Sequence, residues 1–332
     1  MPTTKAVQRF EVLQRGSVQL DPRASVVKGH PVREDGVSWI AARGAPAMPD
    51  DLSEVPELHV AGADPPQYPV QAAYTPPGPY ATTTSTVTDG AGNAIYDLFY
   101  PADYAALGFK SPIVTWGNGT DSTPPQYTTF LSHLASYGFS VIGTTSQLTK
   151  SGVDIDDAAH YLAAQAGTAG SVFYGSLDVS RIAAVGHSQG AGGATRAALN
   201  DPALITTLMT FSLPVVYWLN GPSIAGLTQP AFLISTHGIW DSVVAPPVIE
   251  RIYYETINVP AALGIILESD GKPADHASIL DPAYGGNPGG ELGYATAWLA
   301  YQLRGDPIAA AAFTGTQPEL ASNSNWPGSA VK

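Results

Sequence analysis

Ser188 stands at the centre of Gly186, His187, Ser188, Gln189, Gly190, directly after the apolar run 182–185 and just before the small residues 191–194. A serine hydroxyl is a weak nucleophile unless a base takes its proton, and the base needs a carboxylate to orient it. The pattern G-x-S-x-G between a strand and a helix meets the geometric half of that demand. It sets the serine on a strained turn with its hydroxyl clear of the sheet, and the flanking glycines let helix and strand backbones approach. The pentapeptide alone is weak evidence. Here a buried strand precedes it and a helix-forming run, 194–199, follows, ending near Pro202, which is the context the chemistry requires.

In this arrangement the chain order is serine, then acid, then histidine. Two histidines, His237 and His276, lie downstream. His276 sits in the polar loop 269–280 after an expected strand at 262–267, where a base must stand to reach the top of a sheet. His237 precedes the best acid and breaks the order, so His276 is the expected base. That acid is Asp241, which follows the strand 231–236 after a short turn containing Gly238 and precedes the apolar stretch 243–246. Asp270 stays open as a substitute, whereas Asp275, adjacent to His276, points away in most loops. An acyl-transfer oxyanion needs two preorganised donors. One is the N–H of Gln189; the other comes from the loop 117–122, with Asn118 the choice, Gly119 its nearest competitor and a simple glycine turn the alternative.

Gly119, Thr120, Tyr127, Trp218 and Trp240 are candidates for a substrate pocket. Core packing is the alternative for each aromatic, Trp116 included, and Trp240 beside Asp241 is the best placed. His187 is expected to fill space beside the elbow, His133 and His160 to lie in helices as structural residues, and His30 and His59 to belong to an N-terminal arm. Asp154, Asp156, Asp157 and His160 have the types of metal ligands, but carboxylates at a helix start favour the macrodipole without a metal. The glycines form no phosphate loop, because no Gly-Lys-Ser/Thr follows them. No metal and no cofactor is expected.

These residues need a scaffold. Strands are expected at 81–88 and 94–100 (a hairpin about the turn 89–93), 112–116, 139–144, 181–185, 208–213, 231–236 and 262–267. Helices are expected at 127–137, 155–164, 248–257 and 292–303. Strands alternating with helices imply an α/β fold with a mostly parallel central sheet covered on both faces. Residues 1–77, with possible strands at 18–26 and 37–42 and proline-rich joints, read as an N-terminal extension or pro-segment that packs on the catalytic domain, 78–332. A net charge of −13 repels phosphate, so neither nucleic acid nor an anionic membrane is an expected partner. The chain contains no cysteine, which excludes disulfides and thiolate metal sites. No apolar run is long enough to span a bilayer, and the first residues lack the apolar core of a signal peptide. The protein is expected to stay inside the cell or to begin after a removed signal.

From about Gly78 to Phe313 the chain resembles the α/β-hydrolase superfamily, and within it bacterial cutinase-like polyester hydrolases and related lipases. The likeness is carried by Gly78 to Tyr80, Tyr100-Pro101, 134–139, 186–190 with Gly192-Gly193, 241–245 and 274–276. It implies Ser188 as nucleophile, Asp241 as acid, His276 as base and oxyanion donors at Asn118 and Gln189. In those hydrolases the position of Asn118 is usually aromatic, that of Gln189 usually methionine, and a C-terminal disulfide is present. The resemblance favours secretion and implies a cofactor-free carboxylester hydrolase with a small-molecule or polymeric ester as substrate, on lipid, aryl or polyester bonds. Acyl transfer or amide hydrolysis on the same triad is one alternative, and an inactive binding protein on the same fold is another. Oligomeric state is left open.

Overall fold

Alternation of side chains along the strands decides the layering. The computed structural model describes residues 67–332; the possible strands at 18–26 and 37–42, His30 and His59 lie outside the described residues. The chain enters through helix α1 (Pro69–Tyr74) and the antiparallel hairpin β1 (Thr82–Thr88) and β2 (Ala94–Pro101). Then come β3 (Ser111–Gly117), α2 (Thr128–Ser136), β4 (Ser140–Thr144), α3 (Val153–Gln165), β5 (Leu177–His187) and α4 (Gln189–Asn200). The second half runs through β6 (Thr207–Phe211), α5 (Val215–Asn220), β7 (Ala231–Thr236), α6 (Asp241–Val244), α7 (Pro247–Thr256), β8 (Ala261–Ile266) and α8 (Gly289–Arg304), and ends at a short strand, Ala330–Val331.

These strands make one nine-stranded sheet in the order β1-β2-β4-β3-β5-β6-β7-β8 followed by Ala330–Val331. The six from β4 to β8 are parallel; the hairpin on one edge and the terminal strand on the other are antiparallel. Val114, Trp116, Ala183, Val185, Met209 and Phe211 face a core shared with α2 and α8. Their neighbours Ile113, Ile182, Ala184 and Leu208 face a second core shared with α3, α4 and α7. Helices on both faces explain why the strands read as continuous apolar runs rather than alternating ones.

Helix α1 belongs to the same compact unit as the sheet. α1 buries Val70 and Tyr74. Its free N–H groups at Val70 and Gln71 donate to the Glu319 carboxylate (2.8 Å each), and the Tyr74 carbonyl is bonded by the buried His133 ring (2.9 Å). A pair of carboxylate oxygens at a helix start supplies acceptors that no local residue provides. The strand expected at 181–185 extends to Leu177–His187, and the one-turn helix α6 forms where a loop is expected. No described helix is long and apolar enough to cross a membrane.

Candidate active site

Parallel register brings the chemistry to one edge of the sheet. Pairing of Gly117 with Gly186 sets the loop after β3 beside the end of β5, and His187 pairs with Phe211 at the end of β6. The carboxyl ends of β3, β5, β6, β7 and β8 therefore carry the loop 118–122, Ser188, Ser212, Asp241 and His276, which is where open α/β sheets place their sites.

Ser188 holds φ +54° and ψ −121° at the first turn of α4. This backbone is one that only a rigid frame retains in a non-glycine residue. The frame is a near-contact of three backbones. A Cβ added to Gly186 would run into the Gly190 carbonyl, and one added to Gly190 would run into Gly117. Glycine at 186 and 190 is thus required by close approach, and the turn is held further by the Ser188 N–H to the Phe211 carbonyl (2.8 Å).

His276 Nε2 lies 2.9 Å from Ser188 Oγ, and its Nδ1 lies 2.6 Å from Asp241 Oδ1. Asp241 is fully buried, yet every demand of its carboxylate is met. Oδ2 accepts from Ser212 Oγ (2.7 Å), Thr236 Oγ1 (2.8 Å) and the Thr236 N–H (3.1 Å). Ser212 itself has φ +52°, a second strained residue at the site. Asp275 is a clamp: its Oδ1 accepts the N–H groups of Trp240 (3.0 Å) and His276 (2.8 Å), tying the turn of Asp241 to the loop of His276. A Cβ at residue 238 would collide with Asp275, which accounts for Gly238. Asp270 turns to the start of α8 and accepts the Gly289 N–H (3.0 Å), far in function from the imidazole. His237 is exposed and outside this network. The relay Ser188–His276–Asp241 is capable of moving a proton from a hydroxyl to an imidazole and stabilising the imidazolium that results.

His187 does more than fill space. It is buried, and its Nε2 lies 2.9 Å from the carbonyl of His276, which fixes the proton on Nε2. Nδ1 then accepts from Tyr127 Oη (3.1 Å), whose oxygen accepts the Gly119 N–H (3.0 Å). Burial, then the neighbouring His276 charge, hold His187 well below the usual imidazole range, consistent with one neutral tautomer. Tyr127 is therefore not a pocket residue: it is fully buried between Trp116 and His187. Nothing in the local sequence points to this role, because 60 residues separate the two partners.

Asn118 departs from expectation as well. Its side chain is fully buried and donates to the carbonyls of Thr144 (2.5 Å) and Ser146 (3.1 Å) while accepting from Trp116 Nε1 (3.1 Å). That amide is spent on holding the loop. Gly119 has its N–H on Tyr127, and only Thr120 of this loop reaches the cleft beside Ser188 and Gln189. The cleft, about 680 Å³, is walled by Leu148, Pro214, Val216, Tyr217 and Val244, with Lys150, Arg196 and Asn220 among them. Trp240 is 67% exposed and lies on the outer surface rather than in this wall; the side chain of Trp218 is outside the described residues. Away from the site, Asp156, His160 and Asp201 gather at the α3–α4 surface with His160 Nε2 3.1 Å from Asp201 Oδ2, whereas Asp154 and Asp157 are not part of the group.

Sheet order, the corner at residue 188 and the flanking helices define an α/β-hydrolase. The model of a family described as PETase: PET hydrolase-like matches residues 57–265, more than half of the chain, and the chain belongs to that family. Ser188 and Asp241 lie within the matched stretch and His276 beyond it. The chain is 24% identical over 231 residues to "Cutinase est2" of Thermobifida alba, covering 67% of this chain and 69% of that protein. The protein is a hydrolase of carboxylic ester bonds.

Proposed function

We propose that the protein cleaves esters through an acyl-enzyme in which Ser188 is the nucleophile, His276 the base and Asp241 its orienting acid. The observation that carries this reading is the unbroken chain of hydrogen bonds from Asp241 Oδ1 through the imidazole to Ser188 Oγ, 2.6 and 2.9 Å long. Ser188 gives its proton to His276 Nε2 as Oγ attacks the ester carbon. The tetrahedral adduct collapses, the C–O bond to the alcohol breaks, and the imidazolium protonates the departing oxygen. Water then repeats the sequence on the acyl-enzyme and releases the acid. The oxyanion is held by the N–H of Gln189, one of the unpaired donors at the start of α4, and by the N–H of Thr120 in place of Asn118. Thr120 is the loop residue that faces the cleft, and the Gln189 side chain steadies it (Nε2 to Thr120 Oγ1, 3.0 Å).

The largely apolar cleft suits an aryl or acyl chain, and exposed Ile239, Trp240 and Val243 flank the acid in sequence. Such a rim suits an apolar solid surface, and we assign polyester chains as the substrate class alongside soluble aryl esters. The test is a screen of p-nitrophenyl esters of graded acyl length together with a polyester film, using Ser188→Ala as control. Turnover by the wild type that vanishes in the folded variant supports the assignment; a variant with full turnover overturns it. Labelling of Ser188 by a fluorophosphonate probe separates an active hydrolase from an inactive binding protein.

A further inference from the structure

The protein carries 28 acidic against 15 basic residues, yet the wall of the cleft beside Ser188 contains Lys150 and Arg196 and not one carboxylate. Among the described residues neither cation forms an ion pair. Both have a reason to be near the nucleophile that follows from local geometry. Arg196 lies two helical turns beyond Ser188 on the cleft side of α4, and its guanidinium folds back toward the elbow. Nη1 stands 3.9 Å from the position a Cβ would take at Gly192, which is about 6 Å of helix rise from Ser188. Gly192 places no side chain beside the guanidinium, and the Tyr217 ring stands next to it.

The guanidinium is held rather than free. Its Cζ lies over the Tyr217 ring, 5.1 Å from the ring centroid, and Nη1 donates to the Lys150 carbonyl at 2.5 Å. One of five N–H donors is thereby used, and the same bond draws Lys150 to the cleft. An anchored, partly buried guanidinium with unspent donors is suited to a carboxylate, which it can grip through two parallel bonds. A diffuse positive cleft in an otherwise negative surface also concentrates an anion at that place. Simple packing of Arg196 explains its stacking but not a second cation on the same wall without any acid to balance the two.

We propose that Lys150 and Arg196 form an anion subsite that selects esters whose acyl part ends in a free carboxylate, the half-esters and acid-terminated fragments of a dicarboxylic polyester. This rests on the assignment of Ser188 as nucleophile. Each cut in such a polymer leaves a new carboxylate, so the subsite directs the enzyme toward chain ends and soluble fragments.

The experiment compares the mono-ester and the neutral diester of one aromatic dicarboxylic acid, with kcat and KM read at low and high salt for the wild type, Lys150→Gln, Arg196→Gln and Arg196→Lys. The wild type is expected to favour the half-ester, with the preference eroded by salt. Lys150→Gln should raise KM for the half-ester about threefold, as for an exposed pair. Arg196→Gln should raise it about tenfold, as for a charge-assisted bond, with partial recovery in Arg196→Lys; the diester should change little. Equal loss on both esters, or a preference for the diester that salt leaves alone, overturns the proposal. Calorimetric titration of the Ser188→Ala protein with the free dicarboxylate reads the same subsite without turnover. Binding that Lys150→Gln weakens supports it, and no binding refutes it even if no ester is hydrolysed. Absence of turnover with binding intact places the failure in the nucleophile assignment instead.

Discussion

Glu291 offers a test of the scaffold that holds His276. It sits at the start of α8, is 2% exposed, and its Oε2 accepts from Ser269 Oγ at 2.9 Å. Ser269 in turn ties the chain leading to His276, through bonds with both the carbonyl and the side chain of Asn287 and with the Gly290 N–H. Burial, with smaller contributions from the charges of Asp270 and Asp241, pushes the Glu291 carboxyl from 4.5 up to about 8. The folded protein therefore keeps a proton that the unfolded chain releases above pH 4.5. Because the unfolded state binds fewer protons over that interval, stability falls as pH rises from 4.5 to 8 and levels off above. At 1.36 kcal/mol per pH unit, the loss is about 3 kcal/mol at pH 7 and about 5 kcal/mol above pH 8. Glu291→Gln keeps an oxygen for Ser269 and never ionises. Its urea midpoint is expected to match the wild type near pH 5 and to exceed it increasingly toward pH 8.5. Melting temperature should differ by roughly 4 °C at pH 7 for a chain of this size. A difference between the two proteins that is the same at pH 5 and pH 8.5 refutes the reasoning.

Three further outcomes follow from the site. Ser212→Ala removes one of three donors to Asp241 Oδ2; a bond to a charged group is worth about 1.5–3 kcal/mol, so kcat should fall roughly 10- to 100-fold with KM little changed, and steady-state kinetics showing an unaltered kcat contradict this. His276→Ala should lose on the order of a thousandfold in kcat while His237→Ala stays near wild type; the opposite pattern in the same assay moves the base to His237. Tyr127→Phe keeps the ring against Trp116 but leaves His187 Nδ1 and the Gly119 N–H without their partner, so denaturant titration should show a loss of about 1–3 kcal/mol; unchanged stability removes the relay from the account.

Much of the scaffold was readable because it rests on local signals. Strand and helix periods at 112–116, 155–164, 231–236 and 262–267 survive as β3, α3, β7 and β8, and the glycines about Ser188 announce a backbone approach that only they permit. The order of Ser188, Asp241 and His276 was likewise visible in one dimension, as were the belonging of each to a strand end and the acidic surface. What the sequence could not express was pairing across distance. Asn118 has the chemistry of an oxyanion donor, but Trp116 and the carbonyls after β4 claim its amide. Asp275, which the sequence turns away from the His276 ring, has a carboxylate that joins two loops 35 residues apart. Tyr127 and Ser212 belong to no motif, and His187 fills a position that the motif leaves free. Their roles exist only because parallel register sets the ends of β3, β5 and β6 side by side, where a buried donor must find whichever acceptor the sheet brings within about 3 Å.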